Sequence, residues 1–384
     1  MSISSKAEKI PPFIVMDVLE HAQKMEREQQ VEVIHLEVGE PDFDTPECIT
    51  EAAIRAVKSA RTHYTHSLGL WELREAIAEY YAKTYHVTIS PDQIIVTSGT
   101  SPAMILIFSA LLELGDEVIL SNPHYACYPN FIKMLDGVPK YVNVYEENGF
   151  QYTVEGIQAQ LTSRTRGIMI NSPSNPTGNL LSPDVMQEIA QFSPWIISDE
   201  IYHGLVYEGC AHSMLEYTDR AIVLNGFSKL FAMTGWRLGY VIAPKNLIRP
   251  LQKLQQNFFI CANSFVQWAG VTALQEAEPE TLRMKAIYNE RRQRLIQGLR
   301  EIGFGVTVEP TGAFYVFANA KKFSHDSYTL AFDILEHAKV AVTPGIDFGS
   351  NGEGYLRFSY ANSLENIEEG LRRTNRYLNQ ERQA

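Results

Sequence analysis

Four short segments place reactive side chains directly after wholly apolar, β-branched runs. Ile94-Ile95-Val96-Thr97 leads into Ser98-Gly99-Thr100-Ser101-Pro102, and Ile168-Met169-Ile170 leads into Asn171-Ser172-Pro173-Ser174-Asn175-Pro176-Thr177-Gly178. Trp195-Ile196-Ile197-Ser198 is followed by Asp199-Glu200-Ile201-Tyr202, and Ala221-Ile222-Val223-Leu224 by Asn225-Gly226-Phe227-Ser228-Lys229. Small residues opening a helix offer backbone N–H groups and the positive dipole end to a phosphate, although the same pattern also fits a plain strand-to-helix turn. Two prolines and a glycine fix the loop that aims Asn175. An acid at a buried strand end is costly without a cationic partner, and a lysine amine can condense with a carbonyl group. Read singly, Asp199 could be a helix cap and Lys229 a surface amine. Together these segments set acid, phenol, hydroxyl, amine and amide on successive strand ends, an arrangement that calls for one ligand with several different polar groups.

The elements that must position them read as an α/β alternation. Candidate strands are Gln93–Thr97, Glu117–Ser121, Lys140–Val144, Gly167–Asn171, Trp195–Asp199, Ala221–Asn225 and Leu238–Ala243. Most are apolar throughout rather than alternating, the mark of strands covered on both faces in a mostly parallel sheet. Helices fall between them, for example Pro102–Glu113, and Pro183–Phe192 with Ser182 as N-cap. In such sheets ligands bind beyond the carboxyl ends of the strands, which is where the reactive side chains lie. From Leu282 the texture changes to a charged helix, Leu282–Ile302, then short strands at Gly305–Val308, Ala313–Ala318, Val340–Val342 and Gly354–Ser359, with helices at Ser327–Ala338 and Leu364–Asn379. The expected organisation is an N-terminal arm with part of a small domain (1–45), a large α/β domain (46–281) and a small α+β domain (282–384). The charged helix, with Arg291, Arg292, Arg294 and Arg300, is expected to present a solvated face.

The chain has 384 residues, beyond the length at which one core keeps growing, so two domains are the default. A net charge of −12 disfavours a polyanion-binding surface. The four cysteines include no C-x-x-C pair, and the scattered histidines form no H-E-x-x-H, so neither a disulfide scaffold nor a metal site is expected and the thiols read as reduced and cytoplasmic. No apolar run has the make-up of a signal peptide or the length of a membrane span. Neither G-x-x-x-x-G-K-[ST] nor G-x-G-x-x-G occurs, which disfavours nucleoside triphosphates and dinucleotides.

Gly226-Phe-Ser-Lys229-Leu-Phe-Ala-Met-Thr-Gly235-Trp-Arg237-Leu-Gly239 resembles the pyridoxal-phosphate attachment signature of class I/II aminotransferases. Asn175-Pro-Thr-Gly178, Asp199-Glu-Ile-Tyr202 and Leu356-Arg357-Phe358-Ser359 match the same family in the same order. The resemblance implies the fold-type I architecture of these aspartate aminotransferase-like enzymes: a large domain with a mostly parallel seven-stranded sheet flanked by helices, plus a smaller α+β domain. It implies pyridoxal 5'-phosphate as cofactor and transfer of an α-amino group from an amino acid to a 2-oxo acid by a ping-pong route through a Lys229 Schiff base. Asp199 would pair with the ring nitrogen, Tyr202 and Asn175 would bond the ring's phenolic oxygen, and Tyr125 would stack on the ring. Gly99, Thr100, Ser101, Ser228 and Arg237 would hold the phosphate. Arg357 would grip the substrate carboxylate, helped by Gly39 and Asn175. Tyr64 matches a tyrosine that reaches the phosphate of the neighbouring subunit, so a homodimer with shared sites is expected. The prolines matching Pro123 and Pro176 are expected to follow cis bonds.

Other lyases of the same fold, a C–S β-lyase among them, use nearly the same cofactor residues, and a non-catalytic regulator is a remoter alternative. Acidic substrates need a second cation beside Arg357. Ser101 stands where some aspartate-specific relatives have a lysine, so neutral or aromatic side chains are favoured. Phe13, Ile14 and Val18 lie at helical spacing in the arm, which is expected either to close over the site or to pack in the dimer.

Overall fold

The structure, a computed structural model, describes residues 3–382. All seven anticipated strands form. They are β1 (Ile94–Thr97), β2 (Glu117–Asn122), β3 (Val138–Asn143), β4 (Thr165–Asn171), β5 (Trp195–Asp199), β6 (Ala221–Gly226) and β7 (Gly239–Ile242), in the order β1-β7-β6-β5-β4-β2-β3. Only β7 runs against its neighbours; the remaining pairs are parallel. Strands β1, β6 and β7 are buried at every residue, as their unbroken apolar sequence requires. Ile94, Val96, Ile168, Ile196 and Val223 pack into the core on one face, and Ile95, Met169, Ile197, Ile222 and Val241 into the core on the other. The helix Thr100–Leu111 buries Ala103, Met104, Leu106, Ile107 and Phe108, so it is too apolar to sit anywhere but against this sheet. Ser182 caps Pro183–Ile189 by accepting from the Val185 N–H at 3.2 Å.

A second, antiparallel sheet sets Thr343–Pro344, Tyr355–Ser359 and Tyr315–Asn319 side by side. Ile34–His35 pairs in parallel with Val340–Ala341, which ties the arm to this unit. The expected strand at Gly305–Val308 does not form. Only Gly305 bridges, to Asn319, because the following backbone groups are taken by side chains: Glu146 accepts from the Thr307 N–H and Arg300 donates to the Val306 carbonyl. The charged helix, Glu278–Ile302, is not simply a solvated face. Arg291 and Arg292 are buried, the first bonded to Asp42 at 2.8 Å and stacked over Phe43, the second bonded to Glu208 and to the Pro310 carbonyl. Their charges are neutralised by segments far away in the chain, which is how the helix fastens the arm and the 208–210 loop. Asn122–Pro123 and Asn175–Pro176 are cis as expected, and Ser172–Pro173 is a third cis bond that the sequence reading did not include. Among the described residues no helix is long and apolar enough to cross a membrane.

The arm also holds a buried charge. Glu37 is fully buried, and His35 Nδ1 lies 2.7 Å from its carboxylate, with His35 Nε2 3.3 Å from Glu26. The bond to Glu37 outweighs the opposing cost of burial and lifts the imidazole to about 9. Because the folded value exceeds the unfolded value of about 6.5, the stabilisation is complete below that pH and is lost as pH rises through about 9. The His35 side chain is 30% exposed, so the contribution is discounted to about 2 kcal/mol. Urea unfolding of the native chain is expected to show this loss between pH 6 and pH 9.5, and His35→Gln to abolish the difference.

Candidate active site

Strand ends converge on one cleft of about 300 Å³. Twelve of the thirteen residues expected at a site, all but Tyr64, fall here or border it. Gly39, Thr100, Ser101, Tyr125, Asn175, Asp199, Tyr202, Ser228, Lys229, Arg237 and Arg357 line the cleft, and Gly99 caps the helix that Thr100 and Ser101 begin. Tyr64 is 80% exposed and does not line it.

Asp199 ends β5 and is buried. Its carboxylate accepts from the Tyr128 hydroxyl at 2.7 Å and from the Ile201 N–H at 3.2 Å. Burial pushes the carboxyl up to about 6, a shift that these two donors and the Lys229 charge oppose. The group is therefore mostly ionised at neutral pH. Lys229 lies just beyond β6, and its Nζ donates to the Gly39 carbonyl at 2.6 Å. Burial draws its amine down to about 8; Glu40 and Asp199 work against that shift, and Arg357 and Arg237 add to it. A free-amine fraction is thus present at neutral pH, as a nucleophile or base requires.

Two arginines supply the anion-binding ends. Gly99 sits at φ +95°, and a Cβ there would meet the Arg237 guanidinium at 2.7 Å. The missing side chain lets Arg237 lie over the first turn of Thr100–Leu111, so a guanidinium fork and free backbone N–H groups face one spot. Arg357, on the second sheet, is 2% exposed. It donates to Asn175 Oδ1 at 2.9 Å, to Thr343 Oγ1 at 3.3 Å and to the Glu37 carbonyl, stands over the rings of Tyr315 and Phe348, and leaves Nε without a partner. Gly39 is fixed by crowding: a Cβ there would come within 1.9 Å of the Tyr315 hydroxyl.

Several members of the site were not anticipated. Tyr128 holds Asp199; Asn171 donates to the Asp199 carbonyl at 2.8 Å and accepts from the Asn175 N–H at 2.8 Å. Tyr315 shares a 2.8 Å hydrogen bond with Tyr202. The i+3 spacing of Tyr125, in the turn before the helix Tyr128–Met134, and Tyr128, at its start, was the one local signal; their rings meet edge to face at 5.2 Å. The arm reaches the cleft mouth through Phe13, Val15 and Met16, with Phe13 edge-on to Tyr125 at 5.9 Å. Its helix, Ile14–Gln29, is held at its first turn by Asp347, whose carboxylate accepts from the Ile14 and Val15 N–H groups. Trp236 does not line the cleft and donates to Thr45 Oγ1 at 2.9 Å.

Residues 31–373 match the family described as "Aminotransferase class I and II". The chain is 44% identical to a (5-formylfuran-3-yl)methyl phosphate transaminase of Methanocaldococcus jannaschii, over 98% of this chain and 100% of the relative. It is 40% identical to an aspartate aminotransferase of Pyrococcus horikoshii, over 96% and 95%. Among solved structures, a Methanococcus jannaschii protein described as similar in its active site to kynurenine aminotransferases superposes with a TM-score of 0.92 at 43% identity, covering 98% of this chain and all of that one.

Removing the hydroxyl in Tyr128→Phe takes away a bond that lowers the Asp199 value. The carboxylate titration, followed by infrared difference against Asp199→Asn, is expected to move from near pH 6 to higher pH by about half to one unit.

Proposed function

From the premise that the chain belongs to the class I and II aminotransferases, with their pyridoxal phosphate cofactor and their transfer of amino groups, we propose the following division of labour among its residues. The cleft suits the cofactor on three counts: the cradle vacated at Gly99, the buried acid on β5 beside a lysine of lowered basicity, and an arginine with an unpartnered Nε. When bound, pyridoxal phosphate supplies an aldehyde for the lysine and a ring that accepts electron density from the substrate's α-carbon. Thr100, Ser101, Ser228 and Arg237 hold its phosphate. Asp199, kept ionised at neutral pH, holds a proton on the ring nitrogen. Tyr202 and Asn175 orient the phenolic oxygen, and Tyr125 covers a ring face. Lys229 would carry the covalent attachment and, as a free amine, would take the substrate's α-proton onto Nζ and hold it there for return to the substrate–cofactor adduct. Arg357 pairs with the α-carboxylate, and its rigid bonds to Asn175 and Thr343 fix the direction of that pair. The single observation that carries this reading is that an amine and a carboxyl group, each shifted by burial, line one cleft from adjacent strand ends.

The substrate's side chain is neutral or apolar in this proposal. The cations lining the cleft are Lys229, Arg237 and Arg357, each already assigned, while Glu40 adds an acid and Phe13, Val15, Met16 and Met104 add apolar surface. Among the described residues, a dicarboxylate would meet no further cation lining the cleft. Tyr64, exposed and away from its own cleft, supports a homodimer in which it completes the partner's phosphate site. Four free cysteines, none paired, fit a cytoplasmic setting.

Lys229→Ala is expected to lower kcat by about a thousandfold or more and to leave nothing for borohydride to trap on the chain. Arg357→Lys keeps the charge but loses the fork, so the KM for the amino donor is expected to rise about ten- to a hundredfold with a smaller fall in kcat. With an amino donor alone, the bound cofactor should convert to its pyridoxamine form; release of ammonia and an oxo acid without an acceptor would instead mark a lyase. Co-expressed Lys229→Ala and Tyr64→Ala subunits should recover activity in the hybrid dimer, because one of its two sites regains both residues.

A further inference from the structure

Glu200 stands between Asp199 and Tyr202 yet does not line the cleft. Its side chain is 1% exposed and turns to the other side of the strand end. There Oε1 accepts from Ser198 Oγ at 3.1 Å, Ser213 Oγ at 2.9 Å and the Met214 N–H at 3.0 Å. Oε2 accepts from the Tyr81 hydroxyl at 3.2 Å and lies 3.5 Å from His203 Nδ1, which is itself 2.8 Å from the Tyr85 hydroxyl. Burial holds this imidazole near 3, so it brings no positive charge to the carboxyl. A carboxyl this deeply buried with no cation against it is costly, and its donors offset the cost only in part.

The same cluster extends to the next strand. Asn225 Nδ2 donates to the Tyr81 hydroxyl at 3.3 Å, and Asn225 Oδ1 accepts from the Gly226 N–H at 2.7 Å, three residues before Lys229. In addition the Glu200 N–H donates to the Leu224 carbonyl at 2.8 Å, so main chain and side chain both join the β5 turn to β6. Tyr81 and Tyr85 come from the helix Trp71–Tyr85, and Ser213 and Met214 from the start of a separate short helix, so these two pieces of chain meet the β5 turn on one carboxyl group, and β6 joins through Tyr81.

We infer that Glu200 is a positioning residue for amino transfer: it clamps the Asp199–Tyr202 turn from behind and, through Tyr81 and Asn225, fixes that turn against the strand end bearing Lys229. This rests on the roles proposed above for Asp199 and Lys229. Arg357 makes no bond to the cluster itself and is reached from the clamped turn only through Asn171 and Asn175 or through Tyr202 and Tyr315, so loss of the clamp falls first on the proton-transfer geometry and less on substrate binding.

The test uses Glu200→Ala, Glu200→Gln and Tyr81→Phe as holoenzymes beside the native chain. Glu200→Ala is expected to lower kcat by about tenfold or more, and Tyr81→Phe by about three- to tenfold, with the KM for the amino donor within about twofold in both. Glu200→Gln, whose amide oxygen can still accept from Ser213 and Met214 while its NH2 donates to the Tyr81 oxygen, is expected to restore kcat to within about threefold of native. The infrared midpoint of the Asp199 carboxyl, read without any assay of turnover, should be displaced in the first two variants and near native in the third. Should Glu200→Ala not fold, Tyr81→Phe decides alone, because it removes one oxygen and keeps the ring. A native kcat and a native Asp199 midpoint in the folded variants would overturn the inference, as would a loss carried wholly by KM. If the native chain itself transferred no amino group, the functional proposal would fail, while the Asp199 midpoints would still decide whether Glu200 positions that carboxyl.

Discussion

Two opposite charges withdrawn from water at the ends of neighbouring strands form the constraint that the rest of the molecule serves. Desolvation drives Lys229 down to about 8 and Asp199 up to about 6, and each partly restrains the other's shift. Such groups are tolerable only where hydrogen-bond partners offset the loss of water. Tyr128 and the Ile201 N–H meet the carboxylate, and the Gly39 carbonyl meets the amine. The parallel sheet makes this possible because its strands deliver their C-terminal ends to one edge, where the residues of successive turns line one cleft.

The cleft belongs to neither sheet alone. Lys229, Asp199 and the Gly99 turn come from the central sheet, while Arg357 and Tyr315 come from the antiparallel one, and Gly39 arrives on the arm that joins them. Contacts across this boundary are polar and directional: Arg357 to Asn175, Tyr315 to Tyr202, Lys229 to Gly39. The arginines of the long helix strengthen the same boundary, since Arg291 fixes Asp42 close to the Gly39 segment. A cluster of this kind positions groups more sharply than an apolar contact would, because each bond has a preferred angle as well as a distance.

Much of this was legible in the chain itself. Strands β1, β5, β6 and β7, and the Ile168–Ile170 stretch of β4, are largely apolar runs, and such a run has no solvated face to offer, so a double-covered sheet follows from local sequence. The residues just past those runs then mark the cleft without any knowledge of tertiary contacts. Residues that act through distant partners were not legible. Tyr128 meets Asp199 across 71 residues and Tyr315 meets Tyr202 across 113, and nothing in either neighbourhood encodes the encounter. Arg291 and Arg292 read as surface charges for the same reason, because Asp42 and Glu208 lie far away in sequence. Gly305–Val308 has the composition of a strand, but its backbone partners proved to be side chains of Glu146 and Arg300.

The crowding of Gly39 against the Tyr315 hydroxyl has an evolutionary corollary. No L-residue with a Cβ fits at 39 while a tyrosine occupies 315, since the gap is 1.9 Å. A lineage exploring this cleft must therefore shorten the ring at 315 before it can enlarge 39; the reverse order passes through a clash. Because Tyr315 also bonds Tyr202 and lies beneath Arg357, that first step loosens both neighbours at once. The two positions behave as one heritable unit.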